Sequence, residues 1–103
     1  MAATTNTSAK KTYKVNYTIG CTDCNVLYYS DSLENQKSEI HQNSSWTYTF
    51  YGRKGQNVVL EAYNTSSAAQ VVTVTIKVND TTLITQADDC PISGDAFVAS
   101  VIP

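Results

Sequence analysis

The chain has 103 residues, which is enough for one domain with one hydrophobic core. Seven Lys and Arg residues against nine Asp and Glu give a net charge of −2, so the chain has no excess of positive charge for a phosphate backbone and no nucleic-acid partner is expected. Thr, Ser, Asn and Tyr are abundant while Gly and Pro are scarce, a mix that disfavours helix and suits antiparallel sheet with one solvated face.

The N-terminal segment, residues 1–11, is polar and of low complexity, with no side chains that need burial. We expect a flexible tether here, followed by one β-sandwich domain over residues 12–103. Such a tether is typical of the stalk of a secreted or lipid-anchored protein whose targeting segment has been removed, and an ordinary frayed terminus is the alternative. No signal peptide is recognised, and no apolar run approaches about 20 residues, so no transmembrane helix is predicted.

Two-residue alternation of apolar and polar side chains predicts four strands in the first half of the chain. On the second of these strands Val26 and Tyr28 face inward. The fourth carries Trp46, Tyr48 and Phe50, which should anchor the core because aromatic rings bury large areas. A polar turn and a short edge strand around residue 40 come before it. The predicted strands cover residues 13–19, 25–30, 38–42 and 46–51.

The second half of the chain predicts four more strands. Val58, Leu60 and Ala62 face inward on the first of them. A loop over residues 64–70 leads into a β-hairpin over residues 71–87. A second loop, over residues 88–95, contains three aspartates and separates the hairpin from a last strand over residues 96–102.

We expect the other strands to pack on or beside this hairpin. Asn79 and Asp80 both tolerate the positive φ that a two-residue type I′ turn requires. With that turn the inner face is apolar except for two threonines, whereas a loop one residue longer would turn Leu83 outward. The predicted pairs are Val78 with Thr81, Ile76 with Leu83, Val74 with Thr85, and Val72 with Ala87.

Short strands at regular spacing without helical periodicity predict an all-β fold. We expect an antiparallel immunoglobulin-like β-sandwich of seven or eight strands. Its two sheets would cover a common core that contains Trp46, Phe50, Leu60, Val74 and Ile76.

Strand motifs in a fixed order carry a family resemblance. They are V-x-Y at residues 26–28, W-x-Y-x-F at 46–50, V-x-L-x-A at 58–62, V-x-V-x-I-x-V-N-D at 72–80 and A-x-V-A-S at 96–100. Over residues 13–101 the chain resembles the small immunoglobulin-like β-sandwich domains of secreted Bacteroidetes proteins. It is also similar to the extracytoplasmic domain of mycobacterial small membrane proteins of the MmpS type, although it lacks their membrane helix. The resemblance implies the fold and an extracytoplasmic setting, and it brings no catalytic residues.

The disulfide candidates are the three cysteines, Cys21, Cys24 and Cys90. Cys21 and Cys24 bracket a turn at one end of the sandwich, which the segment carrying Cys90 could reach. A bridge from Cys90 would close a loop of roughly 70 residues and contribute about 4 kcal/mol on a chain-entropy model. The alternative, a Cys21–Cys24 bridge, constrains only its own turn. Either disulfide implies an oxidising location: secreted, periplasmic, or an outer-surface lipoprotein.

The same cysteines allow two other interpretations. Together with His41 they would make a Cys₃His zinc set, but Thr22 and Asp23 stand where zinc turns usually carry glycine. A thioredoxin-type redox role needs a helix N-terminus beneath the C-x-x-C to stabilise the thiolate, and no helix is predicted there. The sequence therefore predicts no metal and no other cofactor.

The acidic residues offer no catalytic pair. Asp88, Asp89 and Asp95 share one predicted loop, which supplies too few oxygens for calcium. The glutamates fall on predicted turns and outer faces rather than in a common cleft. No nucleophile motif and no phosphate-binding loop occur, so the sequence predicts no enzyme.

Outward-facing tyrosines give the main binding hypothesis. Tyr29, Tyr51 and Tyr63 are predicted on solvent faces, and two or three of them on one sheet would form a platform for sugar rings or a partner protein. Cross-strand Tyr–Thr packing is the alternative. The sequence thus predicts a non-catalytic secreted or cell-envelope β-sandwich module, binding or structural, with a protein or glycan partner. Carbohydrate binding through the tyrosines and a cysteine-based zinc or redox protein are the two alternatives.

Overall fold

The computed structural model describes residues 12–41 and 45–103, and these residues form eight β-strands. The predicted tether over residues 1–11 and the predicted end of the edge strand at residue 42 lie outside the described residues. Within the described ranges no helix is long and apolar enough to cross a membrane. The strands are β1 (Tyr13–Gly20), β2 (Cys24–Tyr29), β3 (Gln36–His41), β4 (Ser45–Gly52), β5 (Asn57–Asn64), β6 (Gln70–Val78), β7 (Thr81–Cys90) and β8 (Asp95–Val101).

The strands form two antiparallel sheets of four. The first sheet has the order β4-β1-β6-β7, and the second sheet has the order β3-β2-β5-β8. Hydrogen-bonded neighbours are antiparallel in both sheets. The predicted all-β antiparallel sandwich is confirmed, with eight strands.

The core lies between the two sheets, where the inward positions of their strands meet. Two-residue alternation places these side chains correctly along β1, β2, β5 and β6. Each fully buried aliphatic side chain stabilises the fold by about 1.5–3 kcal/mol relative to exposure. The fully buried aliphatic residues include Val15, Ile19, Val26, Val58, Leu60, Val72, Val74 and Ile76.

Aromatic rings fill one side of this core. Tyr17 and Tyr28 are fully buried, with ring centroids 5.9 Å apart in an edge-on arrangement. Phe50 of β4 is also buried, whereas Trp46 and Tyr48 of the same strand pack on the core but remain half-buried. They do so because β4 is an edge strand of its sheet. Of the three side chains predicted to anchor the core, Phe50 is therefore buried in it, and Trp46 and Tyr48 cover its edge.

Each of the two buried tyrosines has a hydrogen-bonded hydroxyl. Tyr17 donates to the backbone carbonyl of Tyr29 at 2.6 Å, and Tyr28 donates to the carboxylate of Glu39. Desolvation raises the pKa of both hydroxyls well above the ordinary value for tyrosine. Both therefore remain neutral donors, and neither is available as a base.

The central hairpin forms at the predicted turn. Asn79 and Asp80 have φ values of 50° and 66°, and Val78 lies opposite Thr81. The rest of the predicted register is wrong, because the pairing shifts by one residue after Lys77 pairs with Thr82. The observed pairs are Ile76 with Ile84, Thr75 with Thr85, Val74 with Gln86, Thr73 with Ala87, and Val72 with Asp88.

The shift is a β-bulge that makes Leu83 an extra residue in β7. Leu83 and Ile84 are consecutive apolar residues, and strict alternation would place only one of them on the inner side. With the extra residue, both lie half-buried against the core. As a consequence Thr85, predicted on the inner face, lies opposite Thr75 on the outer face.

The predicted acidic loop over residues 88–95 is also wrong. β7 continues through Asp88 and Asp89 to Cys90, and β8 begins at Asp95, so the connection is only Pro91 to Gly94. Backbone pairing with the start of β6 extends β7 through residues that strand propensity alone disfavours. The three aspartates therefore lie on two strands and not in one loop.

The two long sides of the sandwich differ. On one side β7 of the first sheet lies against β8 of the second sheet. On the other side β4 and β3 are the edges of their sheets, and within the described residues no comparable packing joins them. The sandwich is thus closed along β7 and β8 and open along β3 and β4.

Candidate binding surface

The outer face of the first sheet is mostly polar, although Tyr51 of β4 and Val71 of β6 are exposed on it. Hydrogen bonds connect several of its polar side chains. The amide of Asn16 donates to the hydroxyl of Thr49 at 2.9 Å, and the hydroxyls of Thr75 and Thr85 lie 2.8 Å apart. This surface, which we call the threonine face, matches the solvated face that the composition predicts. It consists of Asn16, Thr18, Thr47, Thr49, Thr73, Thr75, Lys77, Thr82 and Thr85.

The outer face of the second sheet has the opposite character. Ile40 is 75 % exposed, Phe97 50 % and Val101 47 %. Leu27 and Val59 lie half-buried between them on β2 and β5. Contiguous exposed apolar surface of this kind marks interaction sites. We call it the apolar face, and it consists of Leu27, Tyr29, Ile40, Val59, Tyr63, Phe97, Ala99 and Val101, with Glu61 among them.

A groove of about 650 Å³ crosses one end of the apolar face. Ile40 and Ser38 of β3 line one side and Tyr63 of β5 lines the other, with Asn25 and Leu27 of β2 between them. The register explains the groove, because Ile40, Asn25 and Tyr63 lie in one row across three strands. Its volume is within the range of small-molecule sites, about 300–1,000 Å³, and it combines apolar walls with amide and hydroxyl groups.

A second groove, of about 370 Å³, lies at the other end of the same face. Its lining includes Tyr29, Val59, Ala99 and Val101. The two grooves flank the row in which Glu61 of β5 lies opposite Phe97 of β8. These two grooves of the second sheet therefore belong to one surface.

Glu61 introduces an acidic centre into the apolar face. Tyr63 follows it at the next outward position of β5, and Asp95 pairs with Tyr63 from β8. Partial burial, followed by hydrogen bonding with Asp95, raises the pKa of Glu61. Hydrogen bonding with Glu61 in turn raises the pKa of Tyr63. Glu61 therefore holds a proton more tightly than an isolated glutamate does.

The structure separates the three predicted platform tyrosines. Tyr51 is 61 % exposed on β4 of the first sheet, whereas Tyr29 and Tyr63 lie on the second sheet. Tyr63 lines the larger groove, and Tyr29 lines the smaller groove at the opposite end of the face. The three rings therefore do not form one platform.

The three cysteines lie at the same end of the sandwich. Cys21 and Cys24 form a disulfide across their turn, with Cα atoms 6.2 Å apart, and Cys90 is a buried free thiol. Gln70, which lies opposite Cys90, donates from its side chain to the carbonyl of Thr22 at 2.6 Å and so connects the two regions. Of the pairings left open by the sequence, the structure has the short one, Cys21–Cys24.

The surroundings of the cysteines do not favour the zinc or redox alternatives. Within residues 12–41 and 45–103 no group of three or more His, Cys, Asp or Glu side chains is placed to hold a metal ion. The Cys21–Cys24 pair spans a turn between two strands, and no helix of the described residues points its dipole at it. Burial, and then the neighbouring carboxylates led by Asp88, raise the pKa of the Cys90 thiol, which disfavours the reactive thiolate.

Sequence reasoning missed most of the apolar face. Alternation assigns Leu27, Val59 and Phe97 to outward positions, but it does not show that these positions lie side by side. A signal was present, because β2, β5 and β8 each contain adjacent apolar residues and so have apolar side chains on both faces. Strands of that type are covered on both sides in many proteins.

Comparisons with known proteins add no constraint on this surface. No protein-family model matches the chain, and no curated protein matches it. The resemblance to secreted immunoglobulin-like domains stays a prediction from the residue pattern.

Proposed function

We propose that this chain is a non-catalytic extracytoplasmic binding module whose partner docks on the apolar face of the second sheet. The observation that carries the proposal is the difference between the two outer faces. Polar side chains of the threonine face bond to one another, as Asn16 does with Thr49 and Thr75 with Thr85, whereas the apolar face leaves Ile40, Phe97 and Val101 largely exposed. Large exposed apolar patches in monomeric domains usually correspond to surfaces that a partner covers.

The Cys21–Cys24 disulfide supports the extracytoplasmic part of the proposal. Disulfides persist in secreted and cell-envelope compartments and are rare in a reducing cytosol. The many Ser and Thr residues of the chain also suit an extracytoplasmic domain.

The chemistry of the apolar face favours a protein partner with an apolar surface and a Lys or Arg near its centre. The face spans four strands, which at about 4.8 Å between neighbours gives a width of roughly 15 Å, more than one sugar ring covers. Glu61 within this area and Asp95 at its end supply two neighbouring carboxyl groups. A cation placed there would be partly desolvated beside Phe97, which strengthens charge-assisted hydrogen bonds.

The proposal is tested by selecting, from a displayed library of random peptides, those that bind the full chain at neutral pH. Enriched peptides are expected to combine aromatic or aliphatic residues with Lys or Arg. Phe97→Asp should weaken their binding by about tenfold or more, because it puts a charge at the centre of the apolar contact. Thr82→Asp adds the same charge to the threonine face and should leave binding unchanged. Peptides that bind wild type and Phe97→Asp equally would refute the docking surface.

Carbohydrate binding is a second candidate, and the larger groove favours it. Tyr63 offers a ring there, and Asn25 and Ser38 offer amide and hydroxyl groups within the same groove. A glycan array with wild type and Tyr63→Ala tests this candidate. Tyr51→Ala is the matched control because Tyr51 lies on the other sheet. Loss of glycan binding in Tyr63→Ala alone would support the candidate, and glycan binding that survives this substitution would remove it.

A further inference from the structure

The edge strand β4 has backbone groups that no neighbouring strand uses. It pairs with β1 along its whole length, from Gly52 opposite Tyr13 to Ser45 opposite Gly20. Among the described residues no strand lies on its other side. The N–H and C=O groups that point to that side are donors and acceptors that a further strand could bind.

The other edge strands carry features that oppose pairing. β3 carries Lys37 and Glu39, and β7 carries Asp88, Asp89 and the bulge. β8 begins with Asp95 and lies against β7. β4 reads SWTYTFYG, with no charged residue, no proline and no register shift against β1. Natural proteins protect long, flat, uncharged edges of this kind unless a partner covers them.

Half-buried aromatic rings lie on the same edge. Trp46 and Tyr48 stack with their centroids 6.1 Å apart and their planes at 12°, yet the core covers both only in part. On the outer face of the strand Tyr51 is 61 % exposed. A strand added beside β4 would cover the exposed rim of these rings, and aromatic area of this kind contributes strongly to interfaces.

We infer that the strand that covers β4 is β4 of a second copy of this chain, paired antiparallel about a two-fold axis. Centred on Tyr48, this pairing places Thr47 opposite Thr49 of the second copy and Trp46 opposite Phe50 of the second copy. All opposed side chains are uncharged, so no like charges meet across the axis. The two first sheets become one continuous sheet of eight strands.

The side chains of β4 favour a second copy over other occupants. The pairing is self-complementary, with hydroxyls opposite hydroxyls on the outer face and rings opposite rings on the inner face. The apolar face lies on the other sheet and stays free for a partner.

Analytical ultracentrifugation of the full chain over a wide concentration range tests the inference. The expected result is a mass that rises from one to two chains. Thr49→Lys should raise the dissociation constant by about tenfold or more, because it brings two positive charges together near the axis. Thr82→Lys adds the same charge at the opposite edge of the same sheet and should change nothing. Because Thr49 accepts a hydrogen bond from Asn16, the exposed Tyr51→Lys is a second variant if Thr49→Lys fails to fold.

Other outcomes would overturn the inference. One is a chain that stays monomeric at every concentration. Another is a dimer weakened by Phe97→Asp but not by Thr49→Lys, which would place the contact on the apolar face. Hydrogen exchange at the β4 amides tests whether another segment of the same chain covers this edge. Protection that does not depend on protein concentration would assign the edge to such a segment and overturn the inference.

Discussion

Among single residues, buried polar side chains are where sequence reasoning fails. Asn64 is fully buried, and its amide donates to the carbonyls of Ala68 and Cys90 at 2.9 and 3.2 Å. These two hydrogen bonds connect the loop after β5 to the end of β7. In the sequence, Asn64 opens a stretch rich in Ser and Ala and resembles an exposed turn residue. The burial of Leu60 four residues earlier is predictable because alternation alone determines it.

Cys90 should be unreactive in the folded protein. It is 3 % exposed, and burial and nearby carboxylates raise its pKa. We expect a chromogenic disulfide reagent without reductant to modify one thiol per chain in denaturant and essentially none in native buffer at mildly alkaline pH. Rapid modification of the native chain would show that Cys90 is accessible and would reopen a redox role.

Glu61 should make stability depend on pH with a defined sign. Its pKa is raised in the folded state, mainly by burial and then by Asp95, so the folded chain holds its proton more tightly than the unfolded chain does. Wild type therefore loses stability as pH rises from the unfolded pKa of about 4.3 through the folded pKa.

Glu61→Gln removes this titration. Its unfolding free energy relative to wild type should be higher at pH 7 than at pH 4, as measured by urea denaturation. In an Asp95→Asn background, the stability difference that Glu61→Gln makes should depend less on pH. One cause of the raised Glu61 pKa, the hydrogen bond with Asp95, is then removed. If the unfolding free energy of Glu61→Gln relative to wild type increases as pH falls, the raised pKa of Glu61 is contradicted.

Among the strands, alternation predicts positions well and pairings less well. All eight strands fall close to their predicted places, and the Asn79–Asp80 turn sets the first pair of the hairpin correctly. The bulge at Leu83 was not predictable from the hairpin alone. It depends on two consecutive apolar residues both packing on a core that strands distant in sequence provide.

The Asn79–Asp80 turn gives a matched test of backbone strain. Asp80 has φ of 66° and forms an exposed ion pair with Lys14 at 3.2 Å. Asp80→Gly and Asp80→Ala both remove this weak pair, but only glycine relieves the left-handed conformation. We expect the glycine variant to be more stable than the alanine variant by about 1 kcal/mol in urea denaturation. Equal stability would contradict a type I′ turn at these residues.

The disulfide turn between β1 and β2 should contribute modestly to stability. A bridge that closes only the ring from Cys21 to Cys24 contributes about 2 kcal/mol on the chain-entropy model, against about 4 kcal/mol for a long loop to Cys90. We expect reduction to lower the unfolding free energy by about the smaller amount. Peptide mapping that finds Cys90 in a bridge, or a loss near the larger amount, would contradict the pairing.

For the whole molecule, the fold class follows from local pattern, whereas the proposed binding surface follows from strand order. Nothing in the sequence places Leu27, Glu61 and Phe97 in one row, because that requires β2, β5 and β8 to be neighbours. The same order puts Tyr51 on the opposite sheet from Tyr63 and divides the tyrosine platform that exposure alone suggests. The two proposals are compatible, because the proposed partner docks on the second sheet and the proposed pairing of two copies uses β4 of the first sheet.

Chemical-shift mapping by NMR would locate binding on one face or the other. The full chain would be titrated with the tightest peptide or glycan that selection yields. We predict that signals of Leu27, Glu61, Tyr63 and Phe97 move while those of the threonine face stay in place. Shifts confined to the threonine face, with the apolar face unchanged, would contradict the proposal that this domain binds through its second sheet.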